Sequence, residues 1–205
     1  MSLIPLARAS MMALMMPAMM VPSMAPALWR HHRMLAEAGV PRAASRTTLV
    51  GLGYAAVWTA IGMALFALDA SLRGHHMSSM GASFAPGAAG AVFLCAGALQ
   101  CSTWKANYLA RCRVMFDARC TVAPNTVLAA WQDGCRLGVR CAASCMAPMA
   151  ILFVVGVMDA RATAVITAAI CAERLLPNGV RIARLTGALA LGVGLVISAR
   201  AIGVA

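Results

Sequence analysis

The sequence predicts an all-α protein, a polytopic transmembrane bundle of about six helices in one integral membrane domain spanning residues 1–205. Three observations lead there. Of the 205 residues, 62% are apolar and 11% charged, where soluble domains run near half and a quarter. The apolar residues fall in runs of bilayer length, and those runs lack the two-residue alternation of barrel strands. Lys and Arg gather at alternate ends of the runs, as they do in cytoplasmic loops. Together with a mean hydropathy of +0.81, this excludes a soluble enzyme domain, a disordered chain and a disulfide-stapled secreted module. At about 20 residues per span plus short loops, six helices use up the chain.

The first span runs about Ala9 to Leu28 and is rich in Met. The second runs Thr47 to Leu68, and the third Pro86 to Trp104. The fourth runs Gly134 to Val157, the fifth Ala162 to Leu176, and the sixth Leu185 to Ala205, with Arg200 placed to snorkel toward an interface. A cleaved signal peptide is the competing reading of the first segment. Seven Met residues between positions 11 and 24, with Pro17, Pro22 and Pro26 among them, are not what a targeting segment requires.

The net charge is +11, from 17 Lys and Arg against 6 Asp and Glu. All but Arg8, Arg73, Arg161 and Arg200 lie in or beside the loops joining spans one and two, three and four, and five and six. That asymmetry places those loops in the cytoplasm and both termini in the periplasm of a bacterial inner membrane. Aromatic residues make up only 5% and form no basic-aromatic stripe, so nucleic acid is not an expected partner. The bilayer is.

Sulfur is the compositional anomaly, with 16 Met and 8 Cys. On the first helix, Met11, Met15 and Met19 form one row at four-residue spacing, and Met12, Met16, Met20 and Met24 form a second beside it. Thioethers are soft neutral ligands that favour Cu(I). The competing reading is packing, because Met fills irregular gaps well. Pro17 removes one helical hydrogen bond and frees the carbonyl of Ala13 beside these rows. On the fourth span Cys141, Cys145 and Met149 are four apart and share a face, with Met158 further along. Two thiolates and a thioether make a soft site, although buried Cys is also common in cores.

The loop after the second span carries His75-His76-Met77-Ser78-Ser79-Met80, imidazole beside thioether on the oxidising face, suited to capturing copper. A polar loop that merely contains His is the alternative. The pair His31-His32 reads as a solvated basic segment at the lipid heads. Cys101, Cys112 and Cys120 fall on the reducing side and are expected as thiols. Arg111 and Arg113 flank Cys112 and favour its thiolate. Glu173 and Arg174 read as an interfacial ion pair, and Asp159 and Arg161 as solvated residues of a tight turn. No Gly-x-Ser-x-Gly, P-loop, dinucleotide fingerprint or His-Glu-x-x-His occurs, which leans the chain away from enzymes.

With these residues in view, the chain resembles a bacterial family of predicted metal-binding integral membrane proteins, a family of unknown function. Met15-Met16-Pro17-Ala18-Met19-Met20-Val21-Pro22-Ser23, followed by Pro26, is similar to that family's Ala-Met-Met-x-Pro-Ser-x-x-Pro helix. Gly97-Ala98-Leu99-Gln100, leading to Lys105, Leu109, Cys112 and Arg113, is similar to its Gly-x-x-Gln … Lys-x-x-Cys-Leu-x-x-Cys-Arg segment. The helix from Cys141 to Met149 resembles Cys-x-Gly-Cys-Cys-x-x-x-Met. Gly156 to Asp159, then Glu173-Arg174 and Pro177-x-Gly179, resembles its Gly-x-Met-Asn … Glu-Lys-x-x-Pro-x-Gly ending. The resemblance implies a helical membrane fold and metal binding. Tyr108 and Ser144 stand where family thiols would be, Asp159 stands for Asn, and the further span usual before the Met helix is not seen.

The functional expectation is an inner-membrane protein that binds or translocates a soft metal ion, Cu(I). Its ligands would come from Met12, Met16, Met19, Met20, His75, His76, Met77, Met80, Cys141, Cys145, Met149 and Met158. A partner protein in a membrane complex, or a periplasmic metal carrier, would supply or receive the ion. The alternative is a non-catalytic structural or assembly subunit that has lost metal, its Met and small residues serving helix packing. A membrane thiol oxidoreductase ranks below both, because the Cys pair lies toward the cytoplasmic half.

Overall fold

In the computed structural model, which describes residues 3–74, 86–117, 126–156 and 159–203, the chain is helical and has no strand among the described residues. The helices are α1 (Leu3–Glu37), α2 (Ala43–Gly74), α3 (Pro86–Cys101), α4 (Thr103–Asp117), α5 (Val127–Val155), α6 (Ala160–Leu175) and α7 (Gly179–Ala201). Three segments are long and apolar enough to cross a membrane: Ala43–Leu68 in α2, Val127–Val155 in α5 and Gly179–Ala201 in α7. Helices α3 and α6 have 16 residues each, short of the roughly 20 that a bilayer core requires. The all-helical expectation holds, and among the described residues three helices have the length and apolar character to cross a membrane. The stretch after Trp104, expected as a loop, is helical to Asp117. Ser102 breaks α3 from α4: its hydroxyl donates to the Leu99 carbonyl at 2.6 Å and accepts from the Lys105 N–H at 3.2 Å, capping the new helix.

The helices sort into two compact units, Met1–Ala67 with Arg111–Ala143, and Leu68–Ala110 with Ser144–Ala205. Helix α5 contributes its first half to one and its second half to the other.

In the first unit α2 touches α1 on one side and α5 on the other. Pro17 has no N–H, so the Ala13 carbonyl has no partner within α1. The Thr59 hydroxyl of α2 donates to it at 3.4 Å. Near the other end of α1, His31 Nδ1 lies 3.2 Å from the Thr47 hydroxyl, which also bonds the Ala43 carbonyl. Helix α5 lies against α2 at glycine positions. A Cβ added to Gly134 would stand 2.2 Å from the Val50 carbonyl oxygen, so only glycine fits there.

In the second unit α3 and α7 run antiparallel in close contact through small residues. Gly97 faces Gly187 and Leu191, and Gly90 faces Gly194 and Ser198. On α7 the buried residues are Gly179, Ala183, Gly187, Ala190 and Gly194. Its outward face carries Leu185, Leu189, Val193 and Val196, with Leu189 71% exposed. Small inside and large apolar outside is the pattern of helices that pack in lipid. Asp159 begins α6, its carboxylate accepting from the Arg161 and Ala162 N–H groups at 2.8 and 3.1 Å.

Two predictions follow from this packing. Gly97→Ala would push a methyl to within 2.7 Å of Leu191 and 2.8 Å of the Gly187 carbonyl, costing about 1–3 kcal/mol. Gly192→Ala meets nothing within 4 Å and is expected to leave thermal unfolding in detergent unchanged or slightly raised. Equal melting temperatures for the two variants would contradict the α3–α7 contact. Separately, burial holds the His31 imidazole below its ordinary value, with Asp133 opposing and His32 adding to the shift. The folded state therefore protonates at lower pH than the unfolded chain. Stability is expected to fall as pH drops through about 6.5 toward the folded value. The fall should flatten in His31→Gln, measured as unfolding temperature between pH 7.5 and pH 5.

Candidate metal centre

On α1 the four-residue spacing of the Met rows becomes a buried face. Met16, Met19, Met20 and Met24 are all buried, Met16 at 2% exposure and Met20 at 0%. Met11 is exposed and Met15 half-buried, so the row through Met16, Met20 and Met24 points inward and the other row only joins it at Met19. The Met12 side chain lies outside the described residues. Ser23 is buried on the same face, its hydroxyl donating to the Met20 carbonyl at 2.9 Å.

The contacts from α2 fix what lies level with this face. Thr59 sits on Ala13, and Leu28 reaches 3.4 Å from the Cβ position of Gly51. Between those two contacts, Tyr54 and Trp58 of α2 fall at the height of Met16 to Met24. Both aromatics are buried and stack as a tilted pair, ring centroids 6.4 Å apart. The Tyr54 hydroxyl lies 2.9 Å from Sγ of Cys141 on α5, a thiol at 1% exposure. The buried Trp58 indole N–H has no hydrogen-bond partner among the described residues. Thus one unit holds the inward Met face, an aromatic pair level with it, and a thiol bonded to one of those aromatics. Sequence reasoning found the sulfur and missed Tyr54 and Trp58. Their i, i+4 spacing on an apolar helix was the available signal.

The second unit holds Cys145, buried next to Ser144. Pro148 lacks an N–H, so the carbonyl of Ser144 loses its helical donor. The Lys105 ammonium donates to that carbonyl instead. Lys105 also pairs with Glu173 at 2.9 Å, the two side chains 4% and 3% exposed. Glu173 Oε1 accepts from the Gln100 amide and from the Thr186 hydroxyl, the latter at 2.9 Å. Arg174 donates to the Ser144 hydroxyl at 2.5 Å, and that hydroxyl lies 3.8 Å from the Cys145 sulfur. The interfacial setting expected for Glu173 and Arg174 is therefore corrected. Both are buried, Glu173 is held by a lysine from α4, and Arg174 turns to α5.

Met149 is half-buried on α5, one turn beyond Cys145. His75, His76, Met77, Met80, Met158 and Cys120 lie outside the described residues. Among the described residues no three His, Cys, Asp or Glu side chains gather as a metal group.

The sequence matches a copper chaperone family, PpoB2, over residues 9–197. The chain belongs to this copper chaperone family. The match takes in the Met face of α1, the Tyr54–Cys141 contact and every member of the buried polar cluster. The metal-binding resemblance drawn from the sequence thus agrees with the family at the level of copper. No curated protein and no solved structure matches the chain.

Breaking one partner of a buried ion pair leaves the other charge uncompensated, at a cost of about 3–5 kcal/mol. Lys105→Met and Glu173→Gln are each expected to lower stability in detergent by that order. The double variant should lose clearly less than the sum of the two. Strict additivity, read from a double-mutant cycle of unfolding, would mean that the two side chains do not interact.

Proposed function

We propose that this chain is a polytopic inner-membrane protein that holds or passes Cu(I) through methionine and cysteine sulfur. The observation that carries the reading is the inward Met face of α1 within the unit that holds the buried Cys141 thiol, in a member of a copper chaperone family. Four buried thioethers on one helix face exceed what packing needs, since Leu or Ala would fill a helix interface with less conformational freedom to lose.

In this reading both termini face the periplasm and about six segments cross the membrane. His75, His76, Met77 and Met80 collect the ion outside, with Met158 near the outer end of the fourth span. Met12, Met16, Met19 and Met20 offer it successive neutral ligands. Cys141 in the first unit, and Cys145 with Met149 in the second, hold it more tightly. A thiol gives up its proton on binding the metal. Once Cys141 is a thiolate, Tyr54 is the donor of their hydrogen bond and spreads the negative charge. The sequence carries no nucleotide-binding loop, so a carrier or chaperone subunit fits better than a pump. A periplasmic metal carrier or a membrane partner would complete the hand-off.

The test is Cu(I) binding to the detergent-purified chain under anaerobic conditions, by competition with a chromophoric Cu(I) chelator. Wild type is expected to compete. Met16→Leu/Met20→Leu keeps volume and apolar character and should weaken binding by about tenfold or more, each tenfold being about 1.4 kcal/mol. Cys141→Ser should weaken it further. A wild-type chain that takes no copper would overturn the reading and favour a packing or assembly subunit.

A further inference from the structure

Cys171 was not among the residues that the sequence singled out, and its placement gives it a role. Helices α5 and α6 are joined by the short turn around Gly156 and Asp159, so their facing halves within the second unit run antiparallel. The contact between Ser144 and Arg174 fixes the register. Cys145 follows Ser144 on α5. Cys171 precedes Arg174 by three residues on α6, one turn away on the same face. The register therefore sets Cys171 level with Ala147 of α5, about 3 Å along the axis from Cys145 on one side and from Met149 on the other. The Cys171 thiol is half-buried, and both Cys145 and Arg174 are near enough to act on it electrostatically. One turn further along α6, the Thr167 hydroxyl is buried with no hydrogen-bond partner among the described residues.

Two thiols and a guanidinium make a particular chemistry available. A Cu(I) ion bound by two thiolates carries a single net negative charge, which is costly in an apolar interior unless a fixed cation offsets it. Arg174 supplies that cation and stays charged at any ordinary pH. Its bond to Ser144 holds it beside the residue that precedes Cys145 on α5.

We propose that Cys145 and Cys171 form a Cu(I) site of their own, two thiolate ligands with Arg174 as the charge-compensating residue and Met149 as an adjacent thioether. On binding, both thiol protons leave to solvent, two S–Cu bonds form, and nothing is oxidised or reduced. The proposal rests on the copper reading above, but it concerns a site separate from the Met face and Cys141.

The experiment counts copper and protons. In a Met16→Leu/Met20→Leu/Cys141→Ser background, one Cu(I) equivalent is expected to remain, and Cys171→Ala should remove it. Cys171→Met keeps a ligand without a proton to lose, so it should retain copper while releasing one proton fewer per ion. Arg174→Gln should weaken binding by about tenfold to a hundredfold, the range for a supporting residue next to a metal ligand, and Arg174→Lys should recover part of it. X-ray absorption should report two short Cu–S contacts in the wild-type site. Copper binding that is unchanged by Cys171→Ala, in stoichiometry and in proton release, would overturn this site and leave the broader reading intact. A Cys145–Cys171 disulfide in protein prepared without air, with no copper taken up there, would also overturn it. Absence of copper from the wild type altogether would remove both readings.

Discussion

Proline inside a helix leaves the carbonyl four residues earlier without a donor, and in an apolar setting that carbonyl must be bonded from another helix. Much of what is polar in this protein follows from that requirement. Pro17 strands the carbonyl of Ala13, and Thr59 of α2 answers it. Pro148 strands the carbonyl of Ser144, and Lys105 answers it. A lysine drawn into the interior brings a charge with it, and Glu173 offsets that charge. The carboxylate then has lone pairs to fill, and Gln100 and Thr186 fill them. A single proline thus recruits residues from α3, α4, α6 and α7 to one point on α5. A half-satisfied network of this kind is worse than an apolar core, so these residues form a set that has to change together.

Around that polar point the packing is of the kind used where water does not drive helices together. Glycines on α3 and α7 bring the two backbones close enough that a methyl group at Gly97 has no room. The large apolar residues of α7 point away from the contact. A soluble protein would turn the same leucines inward. The arrangement makes sense when the outer solvent is itself apolar and the helices are held by close van der Waals contact and interhelical hydrogen bonds.

The helical class was legible because hydropathy and period are properties of local sequence. So was the Met face, since its inward row keeps a strict four-residue spacing. The ends of the helices were less legible. Apolar runs alone do not say where a helix stops, and Ser102 cuts the third run from α4 through a capping bond that composition cannot reveal. The partners of Glu173 were illegible for a different reason. Lys105 lies 68 positions away, and nothing in the spacing of either residue names the other. The family-like segments containing Gln100, Lys105, Glu173 and Arg174 were visible, but as separate strings. Only the fold shows that they are one cluster. Tyr54 was overlooked because a tyrosine on an apolar helix reads as packing until its hydroxyl is seen against a thiol.

On the copper reading, a division of labour among the sulfur side chains follows from charge. A Cu(I) ion held only by thioethers keeps its full positive charge, and burying an uncompensated charge is expensive. A methionine face can therefore offer a path of low selectivity and weak holding, where the ion is easily passed on. A thiolate cancels the charge and turns the same surroundings from a penalty into a trap, because the neutral pair has no reason to leave an apolar interior. On the copper reading, the buried Met face serves passage and the cysteines serve retention. Transfer to the next carrier then requires returning protons to the thiolates, so release is tied to proton supply.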